Sequence, residues 1–336
     1  MDALLNFFLV DFMGKPAWLW LMFMGVVISL LVFDLGVLHR DEHEIGVRES
    51  LLLSAGYITA GLLFGVWVWW YLGAGSGMDY FTGFLVEKSL SMDNVFVIAL
   101  IFGFLGIPRV YQHRVLFWGI LGAIVLRAVM IGLGAVLVHE FEWILYVFGA
   151  FLVITGVKMW FAADQEPDIA NNPLLKFLRR QLRVTDGLRG NTFVVREPSP
   201  LTGRPVLWAT PLLLALVLVE AADLVFAVDS VPAIFAITSD PFIVYTSNIF
   251  AILGLRALYF ALAAMIHRFY YLKYALALVL VFIGSKIFLV GFIGKIPAVL
   301  SLTVTFGLIA GGVLYSLRKT RQDETARGGP HAVTEQ

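Results

Sequence analysis

The chain has 336 residues, of which 60% are hydrophobic and 14% charged; 24 basic side chains balance 24 acidic ones. Soluble domains carry about 45–50% apolar and about 25% charged residues, and so little polar surface cannot cover so much apolar surface. A soluble fold and a basic nucleic-acid-binding face are excluded, and the lack of cysteine removes disulfides, thiolate metal sites and cysteine nucleophiles.

The first eight residues, Met1 to Phe8, have no basic segment, and no small-residue cleavage site follows them, so no removable signal peptide is expected. Apolar stretches near the roughly 20 residues that a bilayer requires then fall at about 17–37, 52–72, 81–103, 115–137, 143–162, 210–236, 243–265, 273–292 and 297–317. The expected fold is all-α, a polytopic membrane protein with about nine transmembrane helices. Aromatic residues such as Trp67, Trp69, Trp70 and Tyr71 gather at a span end, as interfacial anchors do.

Charge orients the spans. Seventeen of the 24 Lys and Arg residues lie in alternate connections, at the entrance of the 273–292 span and in the tail, against Lys15 and Lys295 in the remaining connections. The positive-inside rule places the N-terminus outside and the C-terminus in the cytoplasm, which suits a bacterial inner membrane. Residues 1–320 read as one transmembrane domain containing a cytoplasmic loop at 163–209. That loop begins as an amphipathic helix around Leu174–Leu182 and continues as two short strands, Thr192–Arg196 and Pro205–Ala209. Residues 321–336 read as a disordered cytoplasmic tail.

The spans also repeat. Glu87, Asp93 and Asn94 align with Asp223, Asp229 and Ser230; Leu126-Arg127-Ala128 aligns with Leu255-Arg256-Ala257; Gly156-Val157-Lys158 aligns with Gly284-Ser285-Lys286. Three helices recur in order, over about 81–162 and 210–292. Three is odd, so the second copy enters the membrane from the opposite side, an inverted repeat of the kind that transporters use.

Six carboxylates lie within the spans: Asp34, Glu87, Asp93, Glu220, Asp223 and Asp229. Each costs a few kcal/mol at bilayer depth, so such residues line polar interiors. Positions six apart diverge by about 120° on a helix, which separates Glu87 from Asp93 and Asp223 from Asp229, whereas Glu220 and Asp223 share a face. Ser89, Ser91 and Pro232 suggest that both acidic helices are bent or broken, exposing carbonyls. Lys88, Arg127 and Arg256 are the available charge partners, while Lys158 and Lys286 sit near span ends and are expected to snorkel to the interfaces. Carboxylates with Asn94, Ser230 and Asn248 form a hard-oxygen set suited to Mg²⁺, Ca²⁺ or Mn²⁺. Met92 is the one soft donor beside a key acid, and ordinary Met usage favours a packing role for it. All six histidines fall in loops, at span edges or in the tail, which disfavours zinc or Ser/His/Asp chemistry at the midplane.

Two segments carry a family resemblance. Glu87-Lys-Ser-Leu-Ser-Met-Asp93-Asn94-Val-Phe and Glu220-Ala-Ala-Asp223-Leu-Val-Phe-Ala-Val-Asp229-Ser230-Val-Pro-Ala resemble the two signatures of the TerC family of integral membrane proteins, its Alx-type members especially. Phe33-Asp34-Leu-Gly-Val, Ser247-Asn248 through Arg256 and Ile283-Gly-Ser-Lys286 are also similar, and the likeness runs from about residue 30 to 318. The resemblance implies a relative of the LysE-like transporters, a link to manganese export and to manganese supply for exported proteins. It implies Glu87, Asp93, Glu220, Asp223 and Asp229 as cation ligands, with Asn94 in support; Asp34, Ser230 and Asn248 are further candidates.

The expected function is therefore Mn²⁺ efflux by a secondary transporter that is not an enzyme and has no cofactor, with protons as the coupling ion. No G-x-x-x-x-G-K-[ST] or H-E-x-x-H motif argues otherwise. A Ca²⁺ or other hard-cation transporter, or a scaffold that meets the protein-export machinery through 163–209, are the alternatives. Lipid, a divalent cation and protons are the expected partners, with no nucleic acid.

Overall fold

In the computed structural model, residues 9–33, 47–141, 143–161, 169–198, 203–263, 271–293 and 297–327 are described. Asp34, the side chains of Asp93 and Arg256, and tail residues 328–336 lie outside this set. A short hairpin of β1 (Asp11–Phe12) and β2 (Lys15–Pro16) leads into α1 (Ala17–Phe33). There follow α2 (Val47–Leu72), α3 (Ala74–Phe104), α4 (Arg109–Glu140), α5 (Ile144–Phe161) and the short α6 (Pro173–Gln181). A second hairpin, β3 (Val194–Pro198) and β4 (Pro205–Ala209), precedes α7 (Pro211–Phe235), α8 (Pro241–Leu253), α9 (Leu255–Ala263), α10 (Leu272–Ile293) and α11 (Ala298–Arg327).

The protein is thus mostly helical. Among the described residues six helices are long and apolar enough to cross a membrane: α2, α4, α5, α7, α10 and α11. Two more, α1 and α8, are apolar but shorter. Helix α3 has the length, 31 residues, but Asp79, Glu87, Lys88 and Asp93 interrupt its apolar sequence. Among the described residues six of the nine expected spans meet both length and apolarity: α1 and α8 are too short, the latter because its span is interrupted at Gly254, and charge counts against α3. Large apolar side chains, among them Trp70, Leu63, Val125, Leu133, Ile154 and Phe306, face outward on these helices, as lipid contact demands.

Three differences from the sequence expectations have local causes. First, the two acidic helices are continuous. Ser89 and Ser91 turn their hydroxyls back onto the carbonyls of Leu85 and Glu87, one turn earlier, and leave the ladder of α3 intact. Pro232 comes one turn before the end of α7, which runs on to Phe235. The break falls instead in the 243–265 span, at Gly254 between α8 and α9. Secondly, α11 continues seven residues into the expected tail, since an anchored helix extends without a fresh nucleus. Thirdly, the all-α reading omits two small hairpins, of which β3–β4 pairs close to the strands expected in the 163–209 loop.

Packing rests on two devices. Rings from α1, α2, α3 and α8, namely Phe23, Phe64, Tyr80, Phe242, Tyr245 and Phe250, form a buried aromatic core with mostly edge-on and tilted contacts. Helices α5 and α10 approach through small residues instead. A Cβ on Gly156 would lie 2.7 Å from the Ala277 carbonyl oxygen, and one on Gly284 would lie 2.6 Å from that of Gly149. Lipid supplies no hydrophobic drive between helices, so such close backbone contact holds the pair. The turn between α2 and α3 needs Gly73, whose φ is 96°.

Replacing Gly284 with Val should destabilise the fold by about 1–3 kcal/mol through overpacking, whereas Gly132→Ala, which meets nothing within 4 Å, should be neutral or slightly stabilising. Thermal unfolding of the purified chain in detergent, followed by tryptophan fluorescence, checks both.

Candidate functional site

Arg127 lies in the middle of α4 and is 0% exposed, the largest fully buried side chain among the described residues. A guanidinium cannot shed its charge, so at this depth it needs acceptors around its whole edge. Three helices supply them. Nη2 donates to Asp223 Oδ1 at 2.9 Å and Nε to Asp223 Oδ2 at 3.3 Å, a two-pronged grip on α7. Nη1 donates to Glu87 Oε1 on α3, to Asn248 Oδ1 on α8 at 2.7 Å and to Ser230 Oγ at 3.5 Å.

The acids are bound in turn by amides. Asn248 Nδ2 donates to Glu87 Oε2 at 3.0 Å, and Asn94 Nδ2 donates to Asp223 Oδ1 at 3.3 Å. Glu87 and Asp223 are 1% and 8% exposed. Two carboxylates and one guanidinium leave a net charge of −1 in a dry centre.

Two oxygens beside this network have no partner. Asn94 Oδ1 and Glu220 Oε2 are both buried and unbonded. Glu220 stands one turn before Asp223 on α7 and rests against Gly122 of α4, where any Cβ would overlap its carboxylate. A glycine there makes the room for the acid. The pair therefore flanks Asp223 with free acceptor capacity, in a place where an unmet polar atom is costly.

The remaining candidates are dispersed. Asp229 faces α5, where the Thr155 hydroxyl donates to it and Lys158 supplies a cation; the 120° separation from Asp223 sends it there. Lys88 does not join the acids. Its ammonium donates to the carbonyl of Ala251 at 3.1 Å, in the last turn of α8, whose carbonyls the Gly254 break leaves open. Lys286 donates to Ser301 Oγ at 3.4 Å and also feels the charge of Asp79. Lys88 and Lys286 thus meet polar partners inside the protein, which for Lys286 replaces the expected snorkelling, while Lys158 is exposed, as a snorkelling side chain is. Among the described residues, no three His, Asp or Glu side chains converge as a metal cage.

Three residues escaped the sequence reading: Asp79, Gly122 and Gly254. Asp79 accepts a hydrogen bond from Thr238 and, with Lys286, His139 and Glu140, lines a cavity of about 1290 Å³ at one end of the helices. Its helix begins at Ala74, about two turns before the span estimate, so Asp79 looked like a loop residue. A smaller cavity of about 350 Å³, lined by Ala99, Gln112 and Tyr259, opens at the other end.

A bundle of apolar helices around a buried, hydrogen-bonded charge network defines a polytopic α-helical integral membrane protein. The chain belongs to the TerC family: the model described as "Integral membrane protein TerC family" matches residues 72–324. It is similar to the "uncharacterized membrane protein STKORF319" of Myxococcus xanthus, 48% identical over 313 residues, covering 93% of this chain and 96% of that one. A membrane protein of Rickettsia bellii is 50% identical over 298 residues, covering 89% and 96%. Escherichia coli K12 has a protein named "putative membrane-bound redox modulator Alx", 46% identical over 325 residues, covering 94% and 99%. No solved structure matches.

Asp223→Leu should destabilise the protein by about 3–5 kcal/mol, because it strands part of a buried guanidinium. Asp223→Asn should cost clearly less, since the amide oxygen still accepts from Arg127. Thermal unfolding of the two variants in one detergent compares them.

Proposed function

We propose that this protein exports Mn²⁺ across the bacterial inner membrane by alternating access coupled to protons. The observation that carries the reading is the concentration of hard-oxygen donors from both proposed repeats at one buried level. Glu87 and Asn94 come from α3, Glu220, Asp223 and Ser230 from α7, and two of their oxygens lack partners. Such a set suits a hard divalent ion taken from its water shell. With Arg127 opposed by Glu87 and Asp223, an added Glu220 carboxylate brings the centre to −2, the charge a divalent cation offsets. Asp93 and Asp229 serve as further ligands or proton carriers, Asp34 is a further candidate by sequence, and Arg256 is the second-repeat counterpart of Arg127 in the alignment.

The packing supports the inverted repeats on which the proposed nine crossings rest. Helix α3 packs on α8 as α7 packs on α4, and α3 and α7 meet each other. At the α5–α10 seam, Gly156 abuts Ala277 and Gly284 abuts Gly149. Residues 149 and 156 map onto 277 and 284 by the offset of 128 found in the sequence, so the two contacts exchange under a two-fold axis. The cavity at each end provides the two mouths that alternating access requires.

Outward movement of two positive charges works against an inside-negative potential at about 4.6 kcal/mol per 100 mV, and inward protons would supply it. The same oxygens would accept Ca²⁺, and the 163–209 segment remains a candidate dock for export machinery. A redox role, suggested for the E. coli relative by its name, would have to run here without a thiol.

The test is divalent-cation flux in vesicles of known orientation under an imposed pH gradient, with Mn²⁺, Ca²⁺, Mg²⁺ and Zn²⁺. Gradient-dependent, Mn²⁺-selective flux is expected, abolished by Glu87→Gln, Asp223→Asn, Asp93→Asn and Asp229→Asn. Gly122→Ala, which displaces the Glu220 carboxylate, should cut flux at least about tenfold while Gly132→Ala leaves it intact. Folded wild-type protein that moves no cation would refute the exporter reading.

A further inference from the structure

We propose that Arg127 is a built-in competitor of the transported cation, holding the acidic ligands until substrate displaces it and expelling substrate when it returns. This rests on the exporter reading. Every charge-bearing edge of the guanidinium is spent on the oxygens that a cation would need: Glu87, both oxygens of Asp223, Asn248 and Ser230. Neither Glu87 nor Asp223 can ligate a metal ion fully while Arg127 keeps these bonds, because a guanidinium at hydrogen-bonding distance and a divalent ion repel each other over the same lone pairs.

The geometry leaves a route for exchange. Glu220 Oε2 and Asn94 Oδ1 are buried acceptors without a partner, and both residues stand beside Asp223 towards the end at which the smaller cavity opens, whose lining includes Ala99, five residues beyond Asn94 on α3. A cation arriving from that end is captured first by Glu220 and Asn94, then shares Asp223, and then takes Asp223 and Glu87 from Arg127. Because the two cations exclude each other, the centre always holds one cation or the other against its carboxylates. It is never left as two bare buried carboxylates, the arrangement that burial penalises most. Arg127 returning to its bonds drives the metal off towards the larger cavity. Arginine suits this role better than lysine, since its planar fork bridges two carboxylates at once while lysine offers a single point of charge.

The experiment uses the full chain in nanodiscs for Mn²⁺ binding by calorimetry and in proteoliposomes for flux. R127Q should bind Mn²⁺ about ten- to a hundred-fold more tightly, the worth of the charged hydrogen bonds no longer competed for. Its KM should fall with its Kd while its maximal flux drops at least about tenfold, because nothing expels the ion. A scaffold role alone would lower the yield of folded protein and leave affinity unchanged or weaker. If R127Q does not fold, R127K, which keeps the charge but not the bridge, should shift Kd in the same direction by a smaller factor. Unchanged or weaker binding in a folded variant, beside intact wild-type flux, overturns the competitor role and leaves the exporter reading standing. Wild type that neither binds nor moves Mn²⁺ refutes the exporter reading itself.

Discussion

A permanently charged guanidinium at the centre of an apolar bundle is tolerated only if carboxylates and amides close around it, and this requirement organises the molecule. Arg127 fixes the axial levels of α3, α4, α7 and α8 relative to one another, because Glu87, Asp223 and Asn248 must all reach it. A shift of one helix by a single turn, about 5.4 Å, would break the network. Separate pairs on different helices would tolerate such a slip; one shared cation does not.

Around that centre the bundle uses two kinds of contact with different mechanical character. The aromatic core between α1, α2, α3 and α8 is made of edge-on and tilted rings, which can slide with modest loss. The α5–α10 seam is backbone against backbone through glycine, and has no slack. If the helices rock, as the proposed mechanism requires, the seam is the natural fixed axis. The break at Gly254 lies beside the polar centre, where Lys88 holds the end of α8.

Much of the site was readable from residue types alone. Acids at bilayer depth are costly enough to mark a polar interior, which Glu87, Asp223 and Glu220 form at and beside Arg127, and helical geometry already separated Asp223 from Asp229. The location of the helix break was not readable. Pro and Ser are local signals, and the structure satisfies both locally, through i−4 bonds and a position near a helix end. The break at Gly254 is stabilised by Lys88, which is distant in sequence. Gly122 was likewise silent, for a glycine in an apolar run has no distinguishing pattern until a carboxylate from another helix lies against it.

The sequence by itself determined that the chain lives in a membrane, that acids and amide donors stand within its apolar helices, and that it carries no thiol. Those are consequences of composition, transfer cost and spacing, which need no partner to be evaluated. Tertiary structure alone decided which acids share Arg127, which face another cation, and which oxygens are left with capacity to spare. Pairing depends on distances between side chains on different helices, and hydrogen bonds discriminate over tenths of an ångström. The one-dimensional pattern holds no such distance.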